Sequence, residues 1–193
     1  ASELNRLEAT RILLELFSEG IGARLTSKRA EKQLNILSQS NNSEDMVMVA
    51  DILSKTNKGS QAAVYYEKAL FAGEPLGLAR LSEYYRYGIG LTQSKAKAHA
   101  CAVFHSKYGL TIDERRSSDI TAQVLATSMS EHDLQESIDF QQKIYSIICN
   151  SQPISPSALA MFCAAGNITE VERVLRTGVD VNSHHAIKIP TYI

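Results

Sequence analysis

The sequence predicts an all-α fold, a solenoid of stacked helical hairpins, and two observations carry that expectation. The first is an internal repeat. Phe17-Ser18-Glu19-Gly20-Ile21-Gly22 returns as Tyr85-Arg86-Tyr87-Gly88-Ile89-Gly90, an aromatic residue followed at a fixed distance by Gly-Ile-Gly. The offset is 68 residues throughout, and the alanines beyond each copy, Ala30 and Ala98, keep it. Two units of roughly 34 residues fit that offset, the period of helix-turn-helix arrays. Ala62 marks the middle copy, 32 residues after Ala30 and 36 before Ala98. The second observation is the helical spacing of apolar residues along nearly the whole chain.

The first unit, 2–41, opens with a helix carrying Leu4, Leu7, Leu13, Leu14, Leu16 and Phe17. Gly20 falls where a left-handed residue ends a helix, and Gly22 where two backbones approach closely. A second helix follows over 27–38, with Ala30, Leu34 and Leu37 inward. In the second unit, 42–73, Ser43 is placed to cap the first helix. Ala50, Leu53, Ala62, Tyr66 and Ala69 are its core positions, and its turn, Lys55 to Gly59, lacks the Gly-Ile-Gly. In the third unit, 74–109, Leu78, Leu81 and Tyr85 line one helix and Ala98, Cys101, Ala102 and Phe104 the other. Small residues where two helices cross let their backbones pack closely.

Leu81, Ser82, Tyr85, Gly88, Gly90, Lys97, Ala98 and Gly109 in the third unit resemble the Sel-one-like repeat, a relative of the tetratricopeptide repeat. Leu13, Leu14, Phe17, Gly20, Gly22, Arg29 and Ala30 resemble it in the first. Cys101 and Ala102 replace the usual aromatic pair, and Asn41 replaces the first closing glycine. The middle unit reads almost as well as a tetratricopeptide repeat. The resemblance covers about 110 residues. It implies a right-handed solenoid whose first helices line a concave binding face.

From 110 to 150 the repeat pattern stops but helical spacing continues, as expected of a terminal helical pair. Ile112, Ile120, Val124 and Leu125 suggest one helix; Ser130 and Asp133, at capping-box spacing, start the next. Two prolines and three serines make 151–157 a linker. Beyond it Ala158, Leu159, Cys163, Gly166, Asn167, Val171, Val174, Leu175, Gly178, Asp180 and Asn182 resemble an ankyrin repeat. Region 151–193 is thus read as one ankyrin unit, with Ile189 to Ile193 a truncated second one. A lone unit of this kind cannot bury its own apolar face. The helix around Ile138, Ile144 and Ile148 is its expected neighbour.

Composition narrows function by exclusion. Twenty basic and 21 acidic residues leave a net charge of −1, unlike the basic footprint of a nucleic-acid binder. No apolar run is long enough to span a membrane. The charged opening segment does not read as a signal peptide. Cys101, Cys149 and Cys163 are read as reduced, buried thiols of a cytoplasmic protein. Ser94-Lys95-Ala96-Lys97 has the Ser-x-x-Lys spacing of penicillin-recognising enzymes, but the companion motifs are absent and Lys97 already has a repeat role. Asn167-Ile168-Thr169, formally a glycosylation acceptor, falls at a helix-connecting turn. His99, His105 and His132 read as surface or core-edge residues. No cofactor, metal or catalytic residue is expected.

The remaining expectation is a protein or peptide partner. Arg80, Glu83, Tyr84 and Tyr87 lie off the core stripe of the third unit, and Tyr and Arg are favoured interface anchors. His184 and His185 are placed in an exposed hairpin of the ankyrin register and are the second candidate contact. Pairing of the two repeat classes points to an adaptor, or to a bacterial effector secreted into a eukaryotic host cell. The alternative is a targeting portion of a longer enzyme.

Overall fold

The computed structural model describes residues 2–18, 27–40, 42–151 and 154–176. These form ten helices: α1 (Ser2–Ser18), α2 (Ser27–Ser38), α3 (Ser43–Lys55), α4 (Gly59–Phe71), α5 (Leu78–Tyr87), α6 (Lys95–Tyr108), α7 (Ile112–Ala126), α8 (Glu131–Asn150), α9 (Pro156–Ala164) and α10 (Ile168–Arg176). There is no strand among the described residues. Each helix from α1 to α6 packs on the next, and α9 packs on α10. The fold is therefore all-α. Leu4, Phe17, Gly20, Gly22, Arg29, Ala30, Asn41, Val174, Gly178, Asp180, Asn182, His184 and His185 carry expectations that lie outside the described side chains or residues.

The core includes the apolar positions that helical spacing singled out on α3 to α6. Ala50, Leu53, Ala62, Tyr66, Ala69, Leu78, Leu81, Tyr85, Ala98, Cys101, Ala102 and Phe104 are all buried. Tyr66 and Tyr85 each reach back one helix to a carboxylate: the Tyr66 hydroxyl donates to Asp51, and the Tyr85 hydroxyl to Glu67 at 2.5 Å. Burial, reinforced by the carboxylate acceptor, holds both phenols far above their ordinary value, so they remain neutral donors.

The second Gly-Ile-Gly explains itself. Gly88 ends α5 in the left-handed region at φ 67°, and its N–H bonds the Tyr84 carbonyl. Gly90, at φ 72°, sits so close to α4 that a Cβ would stand 2.3 Å from the Ser60 carbonyl oxygen. Between α3 and α4 Asn57 does the turning instead, at φ 58°, as asparagine can.

Several expectations need correction. On α1 the inward positions are Leu7, Thr10 and Leu14, while Leu13 and Leu16 are exposed. Spacing of three and four residues defines the buried stripe, and those two fall outside it. Asn42, not Ser43, caps α3, accepting the Glu44 N–H at 2.8 Å. Pro156 and Ser157 belong to α9, not to a linker, because proline is tolerated in the first helical turn where its missing N–H has no partner to lose. Cys163 is exposed, whereas Cys101 and Cys149 are buried. His105 is buried too.

The contacts of α8 reach across the chain, since it lies against both α4 and α6. Phe140 meets the Tyr85 ring edge-on at 6.2 Å, and Lys143 stands 5.2 Å from the Phe71 ring centre. The α9–α10 pair docks on this surface. Phe162 packs edge-on against Tyr108 and Tyr145, and Arg173 donates to the Cys149 carbonyl at 2.7 Å. Ile144 and Ile148 are buried as expected of the α8 neighbour, but Ile138 is exposed.

The two glycines make a stability prediction. Gly88→Ala places a Cβ in a left-handed conformation and should cost about 1–2 kcal/mol. Gly90→Ala adds a clash with helix backbone and should cost clearly more, about 3 kcal/mol or above. Urea midpoints of the two variants measure this, and equal shifts would contradict the close approach of the turn to α4.

Candidate interaction surface

The site is built on α5, which is fixed before it presents anything. Its inner face, Leu78, Leu81, Ser82 and Tyr85, is buried, and the Ser82 hydroxyl donates to the Ala98 carbonyl of α6 at 2.9 Å. The opposite stripe carries Arg80, Glu83 and Tyr87 at spacings of three and four residues, hence on one side of the helix. Arg80 and Glu83 are each 60% exposed and form a loose ion pair at 3.6 Å. Such a pair contributes little to stability. Tyr87 is 61% exposed, with the Arg86 guanidinium 5.3 Å from its ring centre.

Tyr84 is not part of this surface. It is only 8% exposed, its ring lies 5.8 Å from that of Tyr66, and its hydroxyl donates to Ser54 Oγ of α3 at 3.2 Å. A helix flanked by neighbours on two sides buries a wider arc than one stripe, which is why spacing alone misplaced it. The same bond ties the Tyr84 side chain of α5 to α3. A comparable tie joins α1 to α3: Arg11 holds Asp45 through two nitrogens, at 2.5 and 2.8 Å, and Ser40 donates to the same carboxylate. Polar ties thus join α1 to α3 and α3 to α5, by pairs 34 and 30 residues apart that no local motif announces.

Ser94 and Lys97 do meet, but as a cap. Ser94 Oγ accepts the Lys97 backbone N–H at 3.1 Å, starting α6. The Lys97 ammonium sits 5.2 Å from the Tyr85 ring centre and 5.5 Å from that of Phe140, where it shields the α5–α8 contact. The two side chains border a cleft of about 390 Å³ with Thr92, Gln93, Lys95, Asp133 and Glu136.

One group escaped the sequence reading. His132, Asp133 and Glu136 bring ligand-type atoms within 4.8 Å of one another on the first turn of α8. Their spacing of one and four residues was the available signal. Asp133 is committed to the capping box, accepting the Ser130 N–H at 2.9 Å, and is held below its ordinary range by that bond and the Ser130 hydroxyl. A cation here would face the positive end of α8 and the nearby Lys95, so the arrangement serves the helix start better than a metal.

The other two histidines among the described residues are structural ties. His99 Nδ1 lies 2.8 Å from Ser137 Oγ on α8, and His105 Nδ1 lies 2.8 Å from Ser118 Oγ on α7. Burial lowers both below the ordinary imidazole value, so each is neutral near pH 7.

No protein-family model and no curated protein matches the chain.

Placement of the two tyrosines can be checked directly. Tyr84→Ala should destabilise the protein by about 3–5 kcal/mol, as loss of a buried aromatic does. Tyr87→Ala should stay within about 0.5 kcal/mol of wild type. Thermal melts of both variants are sufficient, and a large effect at Tyr87 would overturn the assignment of that ring to the surface.

Proposed function

We propose that the chain is a non-enzymatic interaction module, built from the Sel-one-like and ankyrin-type units that its motifs resemble. It holds a protein or peptide partner against the outer stripe of α5. The observation that carries this reading is the exposed set Arg80, Glu83 and Tyr87 on a helix whose other face is immobilised. Tyrosine and arginine on a rigid support lose little conformational freedom on binding, which is what makes them strong anchors. An extended helical surface suits a macromolecular partner better than a small substrate, which is commonly enclosed in a pocket.

The test begins with a partner captured by the purified chain, followed by titration calorimetry. The double change Arg80→Ala and Tyr87→Ala should weaken binding by at least tenfold, about 1.4 kcal/mol, with an unchanged melting temperature. Full affinity in that variant would remove α5 as the contact. Affinity lost together with melting temperature would show that the substitutions damage the fold rather than the surface.

A further inference from the structure

The C-terminal half of α6 and the middle of α8 border a cleft of about 250 Å³, lined by Phe104, Lys107, Tyr108, Gln141, Gln142 and Tyr145. Spacings of three and four residues bring each helix's contributors to one side. The aromatic wall is fixed by its own packing. The Phe104 and Tyr108 rings lie 4.7 Å apart, and Tyr108 and Tyr145 both meet Phe162 of α9 edge-on, at 5.5 and 6.1 Å. The tyrosine hydroxyls are turned elsewhere, that of Tyr108 toward Asn167 and that of Tyr145 toward Glu170. Neither of those two residues lines the cleft. What the tyrosines offer there is ring surface.

The polar groups at the cleft are ones the fold leaves unused. Lys107 is exposed and has no partner among the described residues, and neither has Gln142. Gln141 donates from Nε2 to Ser137 Oγ at 3.2 Å, which leaves its carbonyl oxygen open. No carboxylate lines the cleft. Glu170, behind the Tyr145 hydroxyl, is held by Arg173 at 2.7 Å. The negative end of α6 is met by Arg115, which donates to the Gly109 carbonyl at 3.2 Å. The Lys107 charge is therefore uncompensated beside an aromatic wall. A cation, the usual guest of aromatic rings, would meet Lys107 as a like charge. A planar anion uses both features.

We propose that this cleft binds a small aromatic carboxylate, its ring against Phe104, Tyr108 and Tyr145 and its carboxylate on Lys107, with the Gln142 amide as a second donor. Size narrows the class. Sites for drug-sized molecules run from about 300 to 1,000 Å³, so a cleft of about 250 Å³ takes a single ring system. The rings already pack on one another and on Phe162, so binding orders little besides Lys107 and Gln142, and the entropic cost stays low. An exposed ammonium adds modest affinity, and its sign selects an anion over a cation. The site does not involve α5, so it stands or falls separately from the partner surface there.

Titration of the full chain with indole-3-acetate, read by NMR of the tyrosine ring protons, tests this. The probe should bind with a Kd of about 1 mM or tighter, the range open to a ligand of its size, and should shift Tyr108 and Tyr145. Tryptamine, the same ring bearing an ammonium, should bind about tenfold more weakly. Lys107→Met keeps the apolar stem and removes the charge. It should weaken indole-3-acetate about fivefold, as loss of an exposed ion pair does, and leave uncharged indole unaffected. Gln142→Trp, filling the cleft from an exposed position, should block the probe. Neither variant should lower the melting temperature, since both positions are exposed. Absence of binding well above that Kd would overturn the proposal. So would equal affinity for the two charged probes, full affinity for indole-3-acetate in Lys107→Met, or shifts confined to tyrosines outside the cleft.

Discussion

The close packing around α6 is the constraint on which the rest of the structure depends. This helix touches α5, α7, α8 and α9. It can do so because Ala96, Ala98, Ala100, Cys101 and Ala102 are small and buried on several sides. Larger residues there would hold neighbours apart by more than the methylene or two that cores tolerate. Polar ties then fix register rather than supply bulk energy. Ser82 reaches the Ala98 carbonyl, His99 reaches Ser137, and His105 reaches Ser118, one tie to each of three neighbours. Each contributes about 1 kcal/mol net, against about 1.5–3 kcal/mol for every large apolar side chain buried nearby. Packing decides the fold; the ties decide how the helices are rotated.

Those proportions explain what was legible in the sequence. Helix positions follow from local periodicity and stop signals, so α2 and the bodies of α4, α5, α6 and α8 fall where spacing puts them. Gly88 and Gly90 are readable because a turn and a close approach each demand glycine. Ser130 and Asp133 are readable because a capping box is complete within four residues, and both of its bonds form. What spacing could not show is the second flank of a helix between two neighbours. Tyr84 is the instance that matters, since it turns a proposed contact residue into a core residue. Arg11–Asp45 and Glu74–Ser157 were hidden for a different reason. Charged and hydroxyl residues far apart in the chain pair only once packing has brought their helices together, and nothing adjacent to them marks the partner.

The same logic places α8. Its own periodicity shows an apolar stripe but not which helices that stripe meets. Phe140, Ile144 and Ile148 are buried, while Leu134 and Ile138 are exposed at the N-terminal half. The buried half is the one that reaches α4 and brings Ser151 onto Gly73. From there α9 can only start beside the α4–α5 turn, which is why an acid in that turn ends up against a serine 83 residues later.

The α4–α5 turn therefore serves two parts of the molecule, since it receives α9 on one side and launches α5 on the other. Whether the contact at Glu74 affects the outer stripe of α5 depends on which hold on α5 is stronger. Glu74 touches α5 only through the Leu76 N–H, just ahead of the helix. Leu78, Leu81 and Tyr85 anchor the helix itself, with the Ser82 bond to α6 and the Tyr85 bond to Glu67. Three large buried side chains are worth roughly 5–9 kcal/mol, against about 1.5–3 kcal/mol for one hydrogen bond to a charged group. The surface carrying Arg80, Glu83 and Tyr87 is thus held by the packing of α5 itself, independently of how α9 docks on the turn.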